Sequence, residues 1–393
     1  MVTIHLRNHR FLLPLAAAAL VVLLPGMSLG FETAAKQALI VDYQTGSVLL
    51  EKDADVPIHP ASMTKLMTLY LLFDQLKQGK LSLDDTFRVS EKAWARGQNA
   101  ESNMFVALGS SVRIEDLIRG IAIQSGNDAC KVVAEGIAGS EEAFAKLMNK
   151  KAAELGLNNS NFVNSDGVED PNHLMTARDI VKLSERIWAD FPEYYHYFAE
   201  KEFTYNNILQ QNRNLLLSKD LGVDGLKTGH LSVSGFGVAI SAEQNGRRIF
   251  MVVHGLESMK QRAEEATRLV EWAFQSFRNV KLASKGATLE EAPVWYGDSS
   301  TVPLTVAEDL FATLPKGSEE EIQAKAVFRG PIQAPIAAEQ EIGKLVITST
   351  SGTTEVPLVA GAAVERVGIF GHIVATLKYL VFPQGQAAEP PPS

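Results

Sequence analysis

The chain has 393 residues and a hydrophobic content of 46%, which is enough for two domains with buried cores. Its formal net charge of −9 argues against a nucleic acid as a partner. A lone cysteine, Cys130, excludes an internal disulfide and is expected to be a buried apolar side chain. No zinc-ligand spacing or nucleotide-binding glycine motif occurs, so we expect neither a metal nor another cofactor.

Residues 1–30 have the pattern of a secretory signal peptide. Arg7 and Arg10 precede an apolar run, 11–24, that is too short for an ordinary transmembrane helix, and small residues follow it. We expect cleavage near Gly30, and the alternative is an uncleaved membrane anchor.

The first candidate motif lies where a loop becomes a helix. After a predicted β-hairpin formed by 38–41 and 47–50, Ser62 and Lys65 form an S-x-x-K motif before 66–76, whose apolar residues recur at helical spacing. A helix that begins at Ser62 would place Lys65 on the same face. A lysine with a lowered pKa can take the serine proton, and the helix N-terminus would stabilise the resulting negative charge. The alternative is an N-cap serine beside a surface lysine.

The second motif, S-x-N, consists of Ser125 and Asn127 around Gly126, in a tight loop between two predicted helices. Its hydroxyl and amide can pass a proton and hold a substrate amide. The region that contains it, up to about residue 199, is predicted to be mainly helical. The predicted helices are 114–122, 129–137, 143–155 and one that begins with a capping box at Thr176.

The third motif, K-T-G, consists of Lys227, Thr228 and Gly229 and follows a short strand signal, 223–226. We expect it on an edge strand, with a glycine that lets the backbone pass close to a ligand.

Strand signals continue after this motif. Segments 236–241 and 248–253 flank Asn245-Gly246, which is a strong signal of a tight hairpin, and 262–277 is predicted to be a closing helix. Early strands, a helical middle, late strands and a closing helix predict an α+β domain whose sheet is covered by helices.

Composition changes after Lys281. Short apolar segments that alternate with Pro and Gly predict a small β-rich domain over 283–360, with the role of a spacer or protein contact surface. Residues 361–383 are predicted to be an amphipathic membrane-anchor helix, whose apolar part, 369–382, is too short to span a bilayer but suited to lie in its surface. Docking of this helix on the protein itself is the alternative. The polar, Pro-rich residues 384–393 are predicted to be disordered.

Together the three motifs, in this order, resemble those of the penicillin-binding proteins and serine β-lactamases. The extended sequences of these motifs, ASMTK, SGNDAC and DGLKTGH, are similar to those of the low-molecular-mass D-alanyl-D-alanine carboxypeptidases of the penicillin-binding protein 5 type. The resemblance implies a serine β-lactamase/transpeptidase-like domain over 31–282, with an antiparallel sheet flanked by helices. It also implies the small β domain and the membrane-anchor helix, and so covers nearly all of the mature chain.

This resemblance implies a serine-type carboxypeptidase that removes the terminal D-alanine from peptidoglycan stem peptides through an acyl-enzyme. β-Lactams would be its covalent inhibitors. The implied location is the periplasmic face of the inner membrane, with the C-terminal helix in contact with the membrane surface.

By the same resemblance, Ser62 is the nucleophile and Lys65 is its general base. Ser125 would relay a proton to the leaving amine, Asn127 would hold the substrate amide, and Lys227 would stabilise charge in the site.

Recognition of the substrate terminus is assigned to the K-T-G strand and the closing helix. Thr228, beside Gly229, would bind the terminal carboxylate, and the backbone N–H groups of Ser62 and His230 would form the oxyanion hole. Arg262 would recognise the same carboxylate through a two-pronged contact, and the alternative is a solvated arginine on the closing helix.

Three other functions remain open. One is a D,D-endopeptidase on the same fold, and another is a non-catalytic scaffold that binds wall peptides. A β-lactamase is disfavoured because the loop 166–172 only partly matches a deacylating loop, so Glu169 receives no such role. His173 is interpreted as a structural histidine.

Overall fold

The structure is a computed structural model that describes residues 31–98, 102–317, 322–349 and 352–368. The predicted signal segment and the predicted anchor beyond residue 368 lie outside the described residues. The described chain divides into two compact units, 31–276 and 277–368.

The N-terminal unit combines an antiparallel sheet with helices on both of its faces. Its strands are β1 (Gln37–Asp42), β2 (Val48–Lys52), β3 (Thr86–Arg88), β4 (Ser111–Arg113), β5 (Glu202–Tyr205), β6 (Ile208–Gln211), β7 (Val223–Leu231), β8 (Gly235–Gln244) and β9 (Arg247–Leu256). The five-stranded sheet has the order β2-β1-β9-β8-β7, while β3 pairs with β4 and β5 pairs with β6. The K-T-G motif therefore lies on an edge strand, as predicted.

The helices are arranged around this sheet. They are α1 (Lys65–Lys77), α2 (Glu91–Gln98), α3 (Ile114–Ala122), α4 (Asn127–Ala138), α5 (Glu141–Leu155), α6 (Ala177–Asp190) and α7 (Met259–Ser276). Strand β9 is buried at every position because both of its faces are covered. Since side chains alternate along a strand, Phe250 and Val252 join the core built with α1 to α6, whereas Met251 and Val253 join the core built with α7.

Local sequence signals agree with the structure at several points. The Thr176 side chain accepts a hydrogen bond from the Asp179 N–H at 3.1 Å and so caps α6. Asn245 and Gly246 have φ values of 53° and 75°, which a tight β-hairpin requires at both central positions. The α+β fold predicted from the order of elements is confirmed.

The predicted helix start at Ser62 is wrong in detail. Residues Ala61–Thr64 form a 3₁₀ turn, and the α-helix begins at Lys65. The Ser62 hydroxyl does not cap this helix because it accepts a hydrogen bond from Lys65 Nζ at 2.8 Å.

The C-terminal unit is β-rich, as its composition predicts. Its strands are β10 (Phe277–Ala283), β11 (Glu290–Trp295), β12 (Thr301–Thr305), β13 (Leu310–Pro315), β14 (Gln323–Val327), β15 (Ile332–Gln333), β16 (Glu341–Ser349) and β17 (Gly352–Ala360). The larger sheet has the order β14-β16-β17-β12-β11-β15, and β10 pairs with β13.

Both ends of this unit differ from the bounds expected from the sequence. It begins at Phe277 rather than 283, because β10 pairs with β13. It extends past residue 360, because Val364 is buried in its core and forms a bridge with Ile336. The first part of the segment predicted as an anchor helix, 361–368, therefore belongs to the β unit. No helix within the described ranges is long and apolar enough to cross a membrane.

Candidate active site

Ser62 and Lys65 are joined directly at the start of α1. Lys65 Nζ donates hydrogen bonds to Ser62 Oγ at 2.8 Å and to the backbone carbonyl of Asp166 at 2.6 Å. The Lys65 side chain is fully buried, whereas Ser62 keeps partial exposure. A ligand can thus reach the hydroxyl while the amine stays fixed behind it.

The environment of Lys65 favours its neutral amine. Burial lowers the pKa of Lys65 most strongly, and the positive charges of Arg213 and Arg96 lower it further, whereas Cys130 and Asp166 act in the opposite direction. A neutral amine can accept the proton of the neighbouring hydroxyl, so the alternative of a surface lysine is wrong.

The S-x-N loop presents polar atoms that the rest of the described chain leaves without partners. Ser125 Oγ and Asn127 Oδ1 are both buried and have no hydrogen-bond partner within the described residues. Ser125 has φ of 67°, and the loop is held by hydrogen bonds from Gly126 N to Gly120 O and from Asn127 N to the carbonyl oxygen of Ser102. Buried polar atoms without partners are rare in native proteins, so these two atoms are suited to bind a ligand.

The K-T-G strand approaches the Ser62 turn closely. A Cβ added at Gly229 would lie 2.7 Å from the Pro60 carbonyl oxygen and 3.3 Å from Ala61 Cβ. The glycine is therefore required by contact with the Ser62 turn, rather than only by approach of a ligand. Lys227 is also buried, and desolvation, followed by the positive charges of Lys65 and Arg213, holds its pKa well below the usual value.

The side chains of His230 and Arg262 both lie near the aromatic ring of Phe236. His230 is exposed and stacks on Phe236, with ring centroids 3.9 Å apart, and the Arg262 guanidinium carbon lies 5.8 Å from the Phe236 centroid. Arg262 is only 6% exposed, so the alternative of a solvated arginine on α7 is wrong.

Arg262 lines a pocket suited to an anion. Thr228, Arg213 and Arg262 line this pocket together. Burial, followed by the charge of Arg213, lowers the pKa of Arg262 to about 10. Arg262 forms no ion pair with a carboxylate of the described residues, and a buried guanidinium is stabilised by an anionic ligand.

Arg213 is a site residue that sequence reasoning missed. It donates a hydrogen bond to Ser102 Oγ at 2.8 Å and lines the pocket beside Arg262. It lies in an irregular segment with no motif around it, so only the tertiary structure brings it to the pocket.

Two other residues near the site match their interpretation from the sequence. The Nδ1 atom of His173 accepts a hydrogen bond from Val163 N at 3.1 Å, and its Nε2 lies 2.8 Å from Thr64 Oγ1. Burial lowers the pKa of His173 to about 4, so this histidine is neutral and structural. Glu169 is exposed, and its loop contacts Lys65 through the carbonyl of Asp166 instead.

Comparison with known proteins gives a family for each unit. Residues 26–258 match the family model described as D-alanyl-D-alanine carboxypeptidase, and residues 277–366 match that of the penicillin-binding protein 5 C-terminal domain. The D-alanyl-D-alanine carboxypeptidase DacA of Haemophilus influenzae is 39% identical over 315 residues, which cover 79% of this chain and 80% of that protein.

A solved structure extends the similarity to the fold. Penicillin-binding protein 5 from Haemophilus influenzae has a TM-score of 0.80 and 37% sequence identity, with coverage of 85% of this chain and 98% of that chain. A D-alanyl-D-alanine endopeptidase from Pseudomonas aeruginosa is more distant, at 29% identity over 63% of this chain and 79% of its own. This chain, with its buried lysine beside a serine and its β-rich C-terminal unit, belongs to the D-alanyl-D-alanine carboxypeptidase family of serine peptidases.

Proposed function

We propose that this chain is a serine-type D-Ala-D-Ala carboxypeptidase in which Ser62 is the nucleophile and Lys65 its general base. The observation that carries the proposal is the buried Lys65 amine at 2.8 Å from Ser62 Oγ, in a setting that lowers the lysine pKa. The substrate is a peptidoglycan stem peptide that ends in D-alanyl-D-alanine, and the products are free D-alanine and the shortened peptide.

The reaction runs through an acyl-enzyme. Lys65 takes the Ser62 proton as the serine oxygen attacks the penultimate D-alanyl carbonyl. The backbone N–H groups of Ser62 and His230 stabilise the oxyanion, and Ser125 passes a proton to the leaving amine of the terminal D-alanine. Water then hydrolyses the ester, which regenerates the Ser62 hydroxyl. β-Lactams acylate the same hydroxyl through their ring amide.

Substrate recognition divides between the two other motifs and α7. Asn127 holds the substrate amide, and Lys227 stabilises negative charge in the site. Thr228, Arg262 and Arg213 bind the terminal carboxylate, since two guanidinium groups and a hydroxyl line one pocket. A pocket that binds a free terminal carboxylate supplies the recognition that a carboxypeptidase requires.

The direct test is incubation of the full chain with diacetyl-Lys-D-Ala-D-Ala and measurement of free D-alanine. We expect release from this peptide and little release when its terminal carboxylate is converted to an amide. Cleavage of a cross-linked peptide dimer at a comparable rate would favour the endopeptidase. If the chain neither turns over the peptide nor becomes labelled by penicillin, the non-catalytic scaffold would be favoured.

A sharper prediction concerns Arg262. We expect Arg262→Ala to lower kcat/KM on the acid peptide by roughly 30- to 1000-fold, because a charge-assisted pair contributes about 2–4 kcal/mol. The amide peptide should be poor for wild type and little worse for the variant, which makes the comparison a double-mutant cycle.

Arg268→Ala is the matched control for Arg262→Ala. Arg268 lies on the same helix, is largely exposed and pairs with Glu265 rather than lining the pocket, so its loss should leave both peptides unaffected. Equal losses on acid and amide peptides in Arg262→Ala would show that this arginine does not contact the carboxylate.

We also propose export to the periplasmic face of the inner membrane, with the segment beyond the β unit as a surface anchor. The sequence pattern of residues 369–382 supports this proposal, since its apolar residues share one broad helical face. Because Val364 belongs to the core of the β unit, the anchor is best removed after Gly368 rather than after Ala363.

A chain that ends at Gly368 should retain carboxypeptidase activity but move from the membrane fraction to the soluble fraction. Fractionation of cells that express the two forms measures this directly. Retention of the shortened form on membranes would contradict the anchor and would point to an uncleaved signal segment or another membrane-binding surface.

A further inference from the structure

An ion pair with a buried carboxylate lies immediately behind Lys65. Arg96 of α2 donates to the Asp166 carboxylate from Nε at 2.7 Å and from Nη2 at 2.9 Å. The Asp166 side chain is 1% exposed, whereas that of Arg96 is 31% exposed. The backbone carbonyl of the same aspartate accepts a hydrogen bond from Lys65 Nζ, so Arg96 reaches the general base through a single residue.

The loop that contains Asp166 is held tightly against the catalytic turn. Thr68 Oγ1 donates to the Ser165 carbonyl at 2.6 Å, and Ser165 Oγ donates to Glu141 at 2.7 Å. A Cβ added at Gly167 would lie 1.9 Å from the Ala61 carbonyl oxygen. The Asp166 carbonyl that Lys65 contacts therefore belongs to a loop that is fixed on both sides of this residue.

The ion pair between Arg96 and Asp166 affects the balance of charge around Lys65. The groups that act on it are Cys130 of α4, Asp166 of the loop, Arg96 of α2, Arg213, and Lys227 of β7, with His173 neutral nearby. Asp166 is the carboxylate among them. The positive charge of Arg96 offsets the negative charge of Asp166, which would otherwise stabilise the protonated form of Lys65.

We propose that Arg96 is a positioning residue for the general base: its two-point pair with Asp166 holds the carbonyl that orients Lys65 and neutralises the carboxylate beside it. The inference rests on the proposed role of Lys65. Burial opposes ionisation of Asp166, but the hydrogen bond from Arg96 and the charges of Lys65 and Arg96 hold the pKa of this carboxyl below its usual value. The carboxylate is therefore ionised during catalysis and needs a partner.

The test is the pH dependence of acylation of the full chain by a fluorescent penicillin. In Arg96→Gln the uncompensated carboxylate should raise the pKa of Lys65, so less neutral amine is present at a given pH. The acidic limb of the pH profile of the acylation rate constant should move up by about one pH unit, with a rate about tenfold lower on that limb.

Two further variants test the direction of the shift. In Asp166→Asn the negative charge is lost while Arg96 remains, so the acidic limb should move to lower pH. In Arg96→Lys the charge is kept, and the limb should return toward the wild-type position.

The opposite shifts separate this role from a merely structural one. Arg178→Gln, which breaks another two-point pair with an aspartate, Asp55, is the matched control and should keep the wild-type profile. A limb in Arg96→Gln within about 0.3 units of wild type, or shifts of the same sign in Arg96→Gln and Asp166→Asn, would overturn the proposal. If Arg96→Gln does not fold, the comparison of Asp166→Asn with Arg96→Lys decides, and an unmoved limb in Asp166→Asn overturns it.

A different result would be expected if the proposed catalytic function itself were wrong. Penicillin labelling that survives in Ser62→Ala would contradict the catalytic assignment itself. An unlabelled Ser62→Ala together with an unmoved Arg96→Gln profile would overturn only the role of Arg96.

Discussion

We expect the Ser62→Ala variant to release no D-alanine from the acid peptide and to form no covalent adduct with penicillin. Alanine has no oxygen with which to form the acyl-enzyme, and the neighbouring Lys65 amine is fully buried. Mass spectrometry of the intact protein after incubation with penicillin measures the adduct, and release of D-alanine measures turnover.

The fold of this variant should persist. The Ser62 hydroxyl caps no helix, and its hydrogen bond from Lys65 contributes about 1 kcal/mol, which is too little to unfold a unit of this size. Ser160→Ala, which loses one hydrogen bond to Asp179, is the matched control and should label normally. An adduct on Ser62→Ala would remove Ser62 as the nucleophile.

The second large effect is expected at Lys65. In Lys65→Ala the serine has no base, so the acylation rate constant should fall by about 10²- to 10⁴-fold. Lys65→Arg should be similarly slow, because a guanidinium remains protonated and cannot accept the proton. Stopped-flow measurement of penicillin acylation, with thermal unfolding to verify folding, tests both variants.

A fall of less than about tenfold would require another base. His230 is the histidine of the K-T-G strand, but its side chain is exposed and stacked on Phe236. A double variant with His230→Ala should therefore be no slower than Lys65→Ala alone.

The site motifs were recognisable because each is local. Ser62 and Lys65 are three residues apart, so they meet on one turn whether that turn is α-helical or 3₁₀. The helix start was misplaced for the same reason, since apolar spacing does not distinguish these two turns. The tight loop at Ser125 and the edge strand at Lys227 likewise follow from glycine placement and hairpin signals around them.

Other contributors could not be found in this way. Arg96 and Arg213 lie in separate segments that no local pattern marks, and the loop that begins at Asp166 attracted attention only through its partial match to a deacylating loop. Arg96 meets Asp166 only because α2 packs against α4, which also contacts α1, and the loop before α6 contacts the start of α1 through Lys65. The same holds for Val364, whose burial in the β unit contradicts its assignment to a tail helix.

By itself, the sequence determined the α+β order of elements, the hairpin at Asn245 and the cap at Thr176, because these depend on residues that are neighbours along the chain. Only the tertiary structure decided that Lys65, Lys227 and Arg262 are buried basic side chains with lowered pKa values. The physical reason is that the free energy of a charge depends on its exposure to water and on the charges around it. Both are set by segments far away in the chain.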